Sequence, residues 1–167
     1  MTDRNLHIRR STAADLRRID EIYGRAKVFM RSRGNAAQWS GEYPSATDAA
    51  ADMEAGNGYV VTDAAGRVVG TFAFIVGDDP TYGSIDGCWL NDDAYGTIHR
   101  LASDGSVHGV ADAALEYCIG LTGNIRIDTH ADNIGMIGWL ESRGFSYCGV
   151  ITVSDGTPRR AYQKNSF

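Results

Sequence analysis

The stretch Leu101-Ala102-Ser103-Asp104-Gly105-Ser106-Val107-His108-Gly109-Val110-Ala111 decides how this chain is read. Ala94 to Arg100 precede it and read as a strand. Asp112 to Ile119 follow it and read as a helix, with apolar residues at helical spacing. Between them lies a turn of small residues with two glycines. A strand that feeds such a turn and then a helix N-terminus can hold an anion. The first helical N–H groups have no internal partner, and the helix dipole places partial positive charge there. Small side chains let a phosphate approach that backbone closely. The same spacing also fits an ordinary β–α connection, and on these residues alone both readings stay open.

Working outward toward the N-terminus, Leu6-His7-Ile8-Arg9 alternates and reads as a short strand. Ser11 or Thr12 then caps a helix, supported by Asp15. Leu16, Ile19, Ile22, Tyr23, Ala26 and Met30 recur at helical spacing, which predicts a helix over 13–32. The segment 33–44 reads as a loop. Its Trp39 and Tyr43 either line a substrate mouth or cover the core. Thr47 is the expected cap of a second short helix that ends near Gly56-Asn57-Gly58. Tyr59 to Thr62 and Val68 to Val76 read as a hairpin joined by Asp63-Ala64-Ala65-Gly66. The second of these strands is almost continuously apolar, as a central strand should be. Tyr82 to Asp93 is less regular, carries Trp89, and reads as a substrate-side loop.

Toward the C-terminus, Gly123 is the expected helix stop. Ile125 and Ile127 alternate with Arg126 and Asp128 in another strand. Asp132 or Asn133 opens a last helix that ends at Gly144. Residues 145–153 and 159–163 read as strands joined through Asp155-Gly156, a strong hairpin signal. The order predicts one α/β domain over 1–167, a mixed sheet with helices on its faces.

A formal net charge of −5 argues against a general nucleic-acid binder, and 43% hydrophobic residues suffice for a core. No basic-then-apolar leader and no span of about 20 apolar residues is present, so the expectation is a soluble cytoplasmic protein that does not engage a membrane. Cys88, Cys118 and Cys148 are odd in number and far apart. That spacing points to neither a disulfide framework nor a zinc site, and no metal is expected.

Three segments together carry a resemblance: Ile98-His99-Arg100-Leu101-Ala102 running into Ser106-Val107-His108-Gly109-Val110-Ala111; Ile125 to His130 followed by Asp132-Asn133 and Met136; and Gly144-Phe145. Their order and spacing resemble the GNAT superfamily of acetyl-CoA-dependent N-acetyltransferases, over almost the whole chain. Gln38-Trp39 with Tyr43-Pro44 and the closing Arg159 to Lys164 are similar to bacterial members of unassigned substrate. The resemblance implies a mostly antiparallel sheet whose central strands splay at an acetyl-CoA site. It implies that the amides of Val107, His108, Gly109, Val110 and Ala111 bind the pyrophosphate. Ser106, Gly109 and Ala111 occupy the places of the family's phosphate-turn pattern. The backbone at Leu101, Ala102 and Ser103 pairs with the pantetheine arm, and the Leu101 N–H polarises the thioester. Asn133 contacts the cofactor, with Met136 beside it. Three positions depart from the pattern. Ser106 replaces Arg or Gln, Leu140 stands where many relatives place a tyrosine that protonates the leaving thiolate, and Thr97 lies near the place of a frequent Glu.

Acetyl transfer to an amine needs a neutral nitrogen, an oxyanion donor and a path for protons. His99 is the first candidate base, because imidazole titrates near neutral pH; it is otherwise a buried structural histidine. Alternation places it on one face with Thr97 and Leu101. Asp128 and His130 are second candidates. With Asp132 they could imitate a metal site or tie the strand end to the next helix. His108 either adds positive charge to the turn or points to solvent. The acceptor implied is a small-molecule or peptide amine, and relatives are often homodimers. Two other classes remain beside the enzyme: a non-catalytic acyl-CoA-binding module of the same fold, and a thiol hydrolase built on Cys118.

Overall fold

The computed structural model describes residues 5–166. Eight strands form one sheet: β1 (His7–Arg10), β2 (Gly58–Thr62), β3 (Val68–Val76), β4 (Asp86–Gly87), β5 (Gly96–Ser103), β6 (Asn124–Thr129), β7 (Ser146–Thr152) and β8 (Pro158–Asn165). Their order is β1-β2-β3-β5-β6-β8-β7-β4. Every neighbouring pair is antiparallel except β5 with β6. Four helices accompany them: α1 (Leu16–Ser32), α2 (Ala46–Glu54), α3 (Val110–Leu121) and α4 (Ile134–Ser142).

Local chemistry explains most boundaries. Thr12 and Asp15 form a reciprocal capping box over a 3₁₀ turn at Ala13–Asp15 that leads into α1. Its stripe of Ile19, Ile22 and Tyr23 is buried. Ser45, not Thr47, caps α2, through a capping box with Asp48. Ser45 has the extended backbone a cap needs, whereas Thr47 already lies inside the helix. Asn133 caps α4 by accepting from the Met136 amide. The helix after the decisive stretch starts two residues earlier than the apolar spacing suggested, at Val110, and ends at Leu121 ahead of Gly123. The irregular segment 82–93 contains the two-residue strand β4, which pairs with β7 at the sheet edge.

The core lies on both faces of the sheet. Phe72, Phe74, Ile98, Ile125, Ile127 and Tyr162 pack with α3 and with Leu140 of α4 on one face. Val60, Val68 and Ala102 pack with α1 and Ala49 of α2 on the other. Burial of these apolar side chains is the main favourable term holding the layers together. A third cluster, with Tyr82, Tyr95, Ile151 and Ala161, closes the far end.

One irregularity shapes the centre. Between His99 and Ala102, β5 carries one more residue than the facing run of β3, and Arg100 sits there at φ +50°. A bulge of this kind shifts the alternation of side chains by one. Leu101 therefore packs with Ile98 toward α3, and Ala102 turns to the α1 face. The expectation that His99 and Leu101 share a face fails for this reason, since simple alternation assumes an unbroken ladder. The Arg100 guanidinium is held at this strained point by Asp52 of α2 on two nitrogens, at 2.7 and 2.5 Å, and by the Tyr43 hydroxyl at 3.2 Å.

Candidate active site

Strands β5 and β6 pair only at Gly96 with Ile125 and Thr97 with Arg126. Beyond those two steps they part. A cavity of about 850 Å³ opens where they separate, within the range of small-molecule and cofactor sites. It is lined from the α3–α4 side by Val110, Ala111, Met136 and Trp139, and from the opposite side by Trp39, Tyr43, Asp79, His99 and Arg159. The backbone of Leu101, Ala102 and Ser103 runs along it, and Asn133 closes one wall. Beyond Thr97, the β6-facing backbone groups of β5 have no strand partner among the described residues, which suits an extended ligand arm that pairs as a strand would.

The turn between β5 and α3 is braced by its own side chains. The Asp104 carboxylate accepts from the Ser106 amide at 2.8 Å and the Ser106 hydroxyl at 2.6 Å, and pairs with Arg18 of α1 at 2.5 Å. Burial pushes the Asp104 carboxyl up, but the Ser106 bonds and the charges of Arg18 and Arg67 outweigh it and hold it below the usual carboxylate range. Arg67 also reaches the Ser106 hydroxyl at 3.2 Å, so a cation stands beside the turn. Gly109 occupies the N-cap of α3 at φ +91°, where only glycine is free of strain, and no side chain caps the first turn. Ser106, Val107, His108 and Gly109 form the rim rather than the cavity wall, and His108 is exposed.

Gly70 of β3 sets how close α3 approaches the sheet. A Cβ there would collide with Val110 Cγ1, in the first residue of α3, and lie 3.1 Å from the Ala102 carbonyl oxygen. Only hydrogen fits, so the helix N-terminus presses onto the strand beside the splay.

His99 reaches the cavity with its Nε2 2.9 Å from Asp79 Oδ2. That hydrogen bond, before the amide of Thr81, holds the Asp79 carboxyl below the usual range. An Nε2–H donated to Asp79 fixes the tautomer that leaves the Nδ1 lone pair free. Asp128 also lines the cavity and accepts from the Tyr82 hydroxyl at 2.6 Å. Burial pushes the Tyr82 phenol well up, and the Asp128 charge adds to this. His130 does not line the cavity. Its Nδ1 accepts from the Asp132 amide at 3.0 Å, tying the end of β6 to the start of α4. Trp39 does two things: it packs edge-on against Tyr23 in the core and presents a side to the cavity. Tyr43 is exposed and at the mouth. Trp89 is elsewhere, with its Nε1–H on the Tyr82 carbonyl and the Arg126 guanidinium 4.1 Å above its ring. An aromatic in an irregular segment is as readily recruited to a small cluster as to a mouth.

Several residues at the site carry little signal in the sequence. Asp79 reads as part of a strand-ending Asp-Asp-Pro, and only the fold brings it to His99. Gln38 Oε1 accepts from the Asn133 and Asn35 amides, the His130 N–H and the Thr129 hydroxyl, all within 3.2 Å, so it locks the 33–44 loop to β6 and α4. Arg159 is buried at the start of β8 and lines the cavity. Leu140 is fully buried in the α3–α4 core, so no proton donor stands in that place. Cys118 is buried in the same core, away from the cavity, and burial raises its thiol far above the ordinary range, which removes the thiol-hydrolase reading. Among the described residues no group of three or more His, Cys, Asp or Glu is placed to hold a metal, and no helix is long and apolar enough to cross a membrane.

No protein-family model matches the sequence, and a search of curated proteins finds no match. Solved structures do match. A GNAT-family acetyltransferase from Streptococcus agalactiae is 29% identical, with a TM-score of 0.87 over 97% of this chain and 96% of that one. The ribosomal-protein-S18-alanine N-acetyltransferase of Escherichia coli is 17% identical, with a TM-score of 0.62 over 96% and 94%. A GNAT-superfamily phosphinothricin acetyltransferase from Sinorhizobium meliloti, solved in complex with AcCoA, is 17% identical, with a TM-score of 0.64 over 97% and 89%. The first of these, at 29% identity, supports acyl transfer as the class of chemistry, and the other two show the fold. The chain has the fold of the GNAT acetyltransferases, and its structural neighbours are bacterial members of that family.

Proposed function

We propose that this protein transfers an acetyl group from acetyl-CoA to a primary amine by direct attack within a ternary complex. The observation that carries this is the parting of β5 and β6 beside an uncapped helix N-terminus, with a histidine–carboxylate pair facing the same cavity. The donor would lay its pyrophosphate over the turn and the first amides of α3, where the helix dipole favours negative charge. The pantetheine arm would pair along Leu101 to Ser103. The Leu101 N–H would meet the thioester oxygen and stabilise the charge that develops there.

The acceptor nitrogen attacks the thioester carbonyl carbon as a C–N bond forms. The C–S bond then breaks, leaving the amide and the thiolate of CoA. His99 Nδ1 takes the proton released by nitrogen, with Asp79 holding the ring and stabilising the imidazolium. A proton from solvent restores the thiol, since Leu140 cannot supply one. The enzyme's main contribution is to hold the two reactants in line. The non-catalytic reading has nothing in its favour that would outweigh a histidine held by a carboxylate in the cavity.

Titration calorimetry of acetyl-CoA into the protein tests the first half, and micromolar binding is expected. An amine screen read by mass spectrometry tests the second, because exposed Cys88 would react with thiol reagents. Absence of any acetyl-CoA binding would overturn the proposal.

A further inference from the structure

We propose that the acceptor is zwitterionic, an amine that also carries a carboxylate or a similar anionic group, and that Arg159 receives that group. The proposal rests on the acetyl-transfer reading and adds the substrate class. Arg159 is 7% exposed and lines the same cavity as His99 and Asp79. Its Nη1 donates to the Thr157 hydroxyl at 2.9 Å and the Pro158 carbonyl at 3.0 Å, and its Nη2 reaches the Gln38 carbonyl at 3.4 Å. All three acceptors are uncharged. Among the described residues no carboxylate forms an ion pair with it. Asp155, on the same hairpin, feels its charge but spends Oδ1 on the Thr157 amide and hydroxyl.

The other guanidiniums at the cavity differ. Arg100 is neutralised on two nitrogens by Asp52, and Arg25 sits on the exposed side of α1. A buried cation without a counter-charge is costly, and a planar fork of N–H donors matches a carboxylate. Arg159 is thus the one cavity guanidinium, among the described residues, that is buried yet lacks an ionic partner.

The acids stand on the other side of the acceptor space. Asp128 pairs across the strands with Ala161, and Arg159 is two residues from Ala161 on the same face of β8. Diagonal neighbours of this kind lie about 7–8 Å apart. An amino-acid-like molecule spans that gap, with its amine toward Asp128 and His99 and its anionic group on the guanidinium. Opposite charges on the two sides orient the amine toward the thioester and disfavour the reversed pose.

The test compares acetylation of a panel of amino acids with their own amides, using the full chain and mass-spectrometric detection. Each pair differs in the anionic group and, through it, in the basicity of the amine, so rates are compared per neutral amine. The wild type is expected to favour the acids by about tenfold or more in kcat/KM, the range for a charged hydrogen bond. Arg159→Gln is expected to raise KM for the acids by about as much, while acetyl-CoA affinity and KM for an amide change less than about twofold. Arg159→Lys should recover part of the loss. Equal use of acids and amides by the wild type overturns the proposal, and so does an Arg159→Gln effect that falls equally on both. If Arg159→Gln does not fold, the wild-type comparison decides alone. Acetyl-CoA binding with turnover of none of the zwitterionic acceptors overturns the substrate class and leaves cofactor binding standing. No acetyl-CoA binding overturns the function itself and this inference with it.

Discussion

Replacing Gly70 with alanine probes how the sheet sets the proposed anion site. The added methyl would overlap Val110 Cγ1 and crowd the Ala102 carbonyl at 3.1 Å. Val110 cannot swing away, because a β-branched side chain in a helix has one strongly preferred rotamer. The first turn of α3 must lift instead. Overpacking of this sort costs about 1–3 kcal/mol of stability. Each amide pulled off a phosphate oxygen forfeits about 1.5–3 kcal/mol, so losing one alignment weakens acetyl-CoA binding about 10–100-fold. Denaturant unfolding measures the first effect and titration calorimetry the second. The double substitution Gly70→Ala with Val110→Ala separates contact from general damage. Removing the γ-carbons makes room for the new methyl, so the double variant should bind acetyl-CoA better than Gly70→Ala alone. Two results would refute the reasoning: wild-type affinity in Gly70→Ala, or a double variant no better than the single one.

His99→Ala should lower kcat about 100-fold or more, with acetyl-CoA affinity unchanged; unchanged turnover would make His99 structural. In Gly109→Asp a carboxylate about 5 Å from a bound pyrophosphate would add about 3 kcal/mol of repulsion at an effective dielectric near 20, on top of backbone strain at φ +91°, so binding should fall by about 100-fold or more. Wild-type affinity in that variant would remove the phosphate site from the turn. Asp15 and Asp112 are held below the usual carboxylate range, chiefly by hydrogen bonds from Arg9 and Arg143. Depressed carboxylates stabilise the fold above their unfolded value of about 3.9, and that contribution disappears as pH falls through the folded values. Asp15→Asn should therefore lower Tm at pH 6 and flatten its fall between pH 4 and pH 2.5; parallel Tm curves for the two proteins would contradict this. Iodoacetamide should label Cys88 in the native state and leave Cys118 untouched until the protein unfolds, as peptide mapping would read.

Much of this fold was legible because local signals and tertiary needs agree. The apolar run of β3, the Asp155-Gly156 hairpin and the period of α1 each have one physical solution in the sheet that forms. The β5–turn–α3 unit was legible for the same reason. The bulge at Arg100 was not. Nothing around an ordinary arginine announces a positive φ, and the Asp52 and Tyr43 partners that hold it lie 48 and 57 residues away. Its consequence, the reversal of faces after His99, was hidden with it. Asp79 was invisible as a partner of His99 because a strand-ending Asp-Asp-Pro already has a sufficient local explanation. Trp89 shows the opposite error, in which a large aromatic in an irregular segment suggested a ligand and instead supports a cation within the fold. Leu140, by contrast, is buried as its apolar side chain in a helical pattern predicts.

The parting of β5 and β6 makes the sheet itself a partition with a slot in it. One side of the cavity is bounded by α3 and α4, the other by the 33–44 loop, Asp79 and Arg159, and the parted strands lie between them. On the proposed reading, donor and acceptor would enter from opposite faces of the sheet. The slot's frame is main chain, set by where the ladder stops and how the strands twist, so trimming a single side chain does not widen it. New acceptors would be admitted by redecorating the second side alone, with the donor's half of the machine left as it stands.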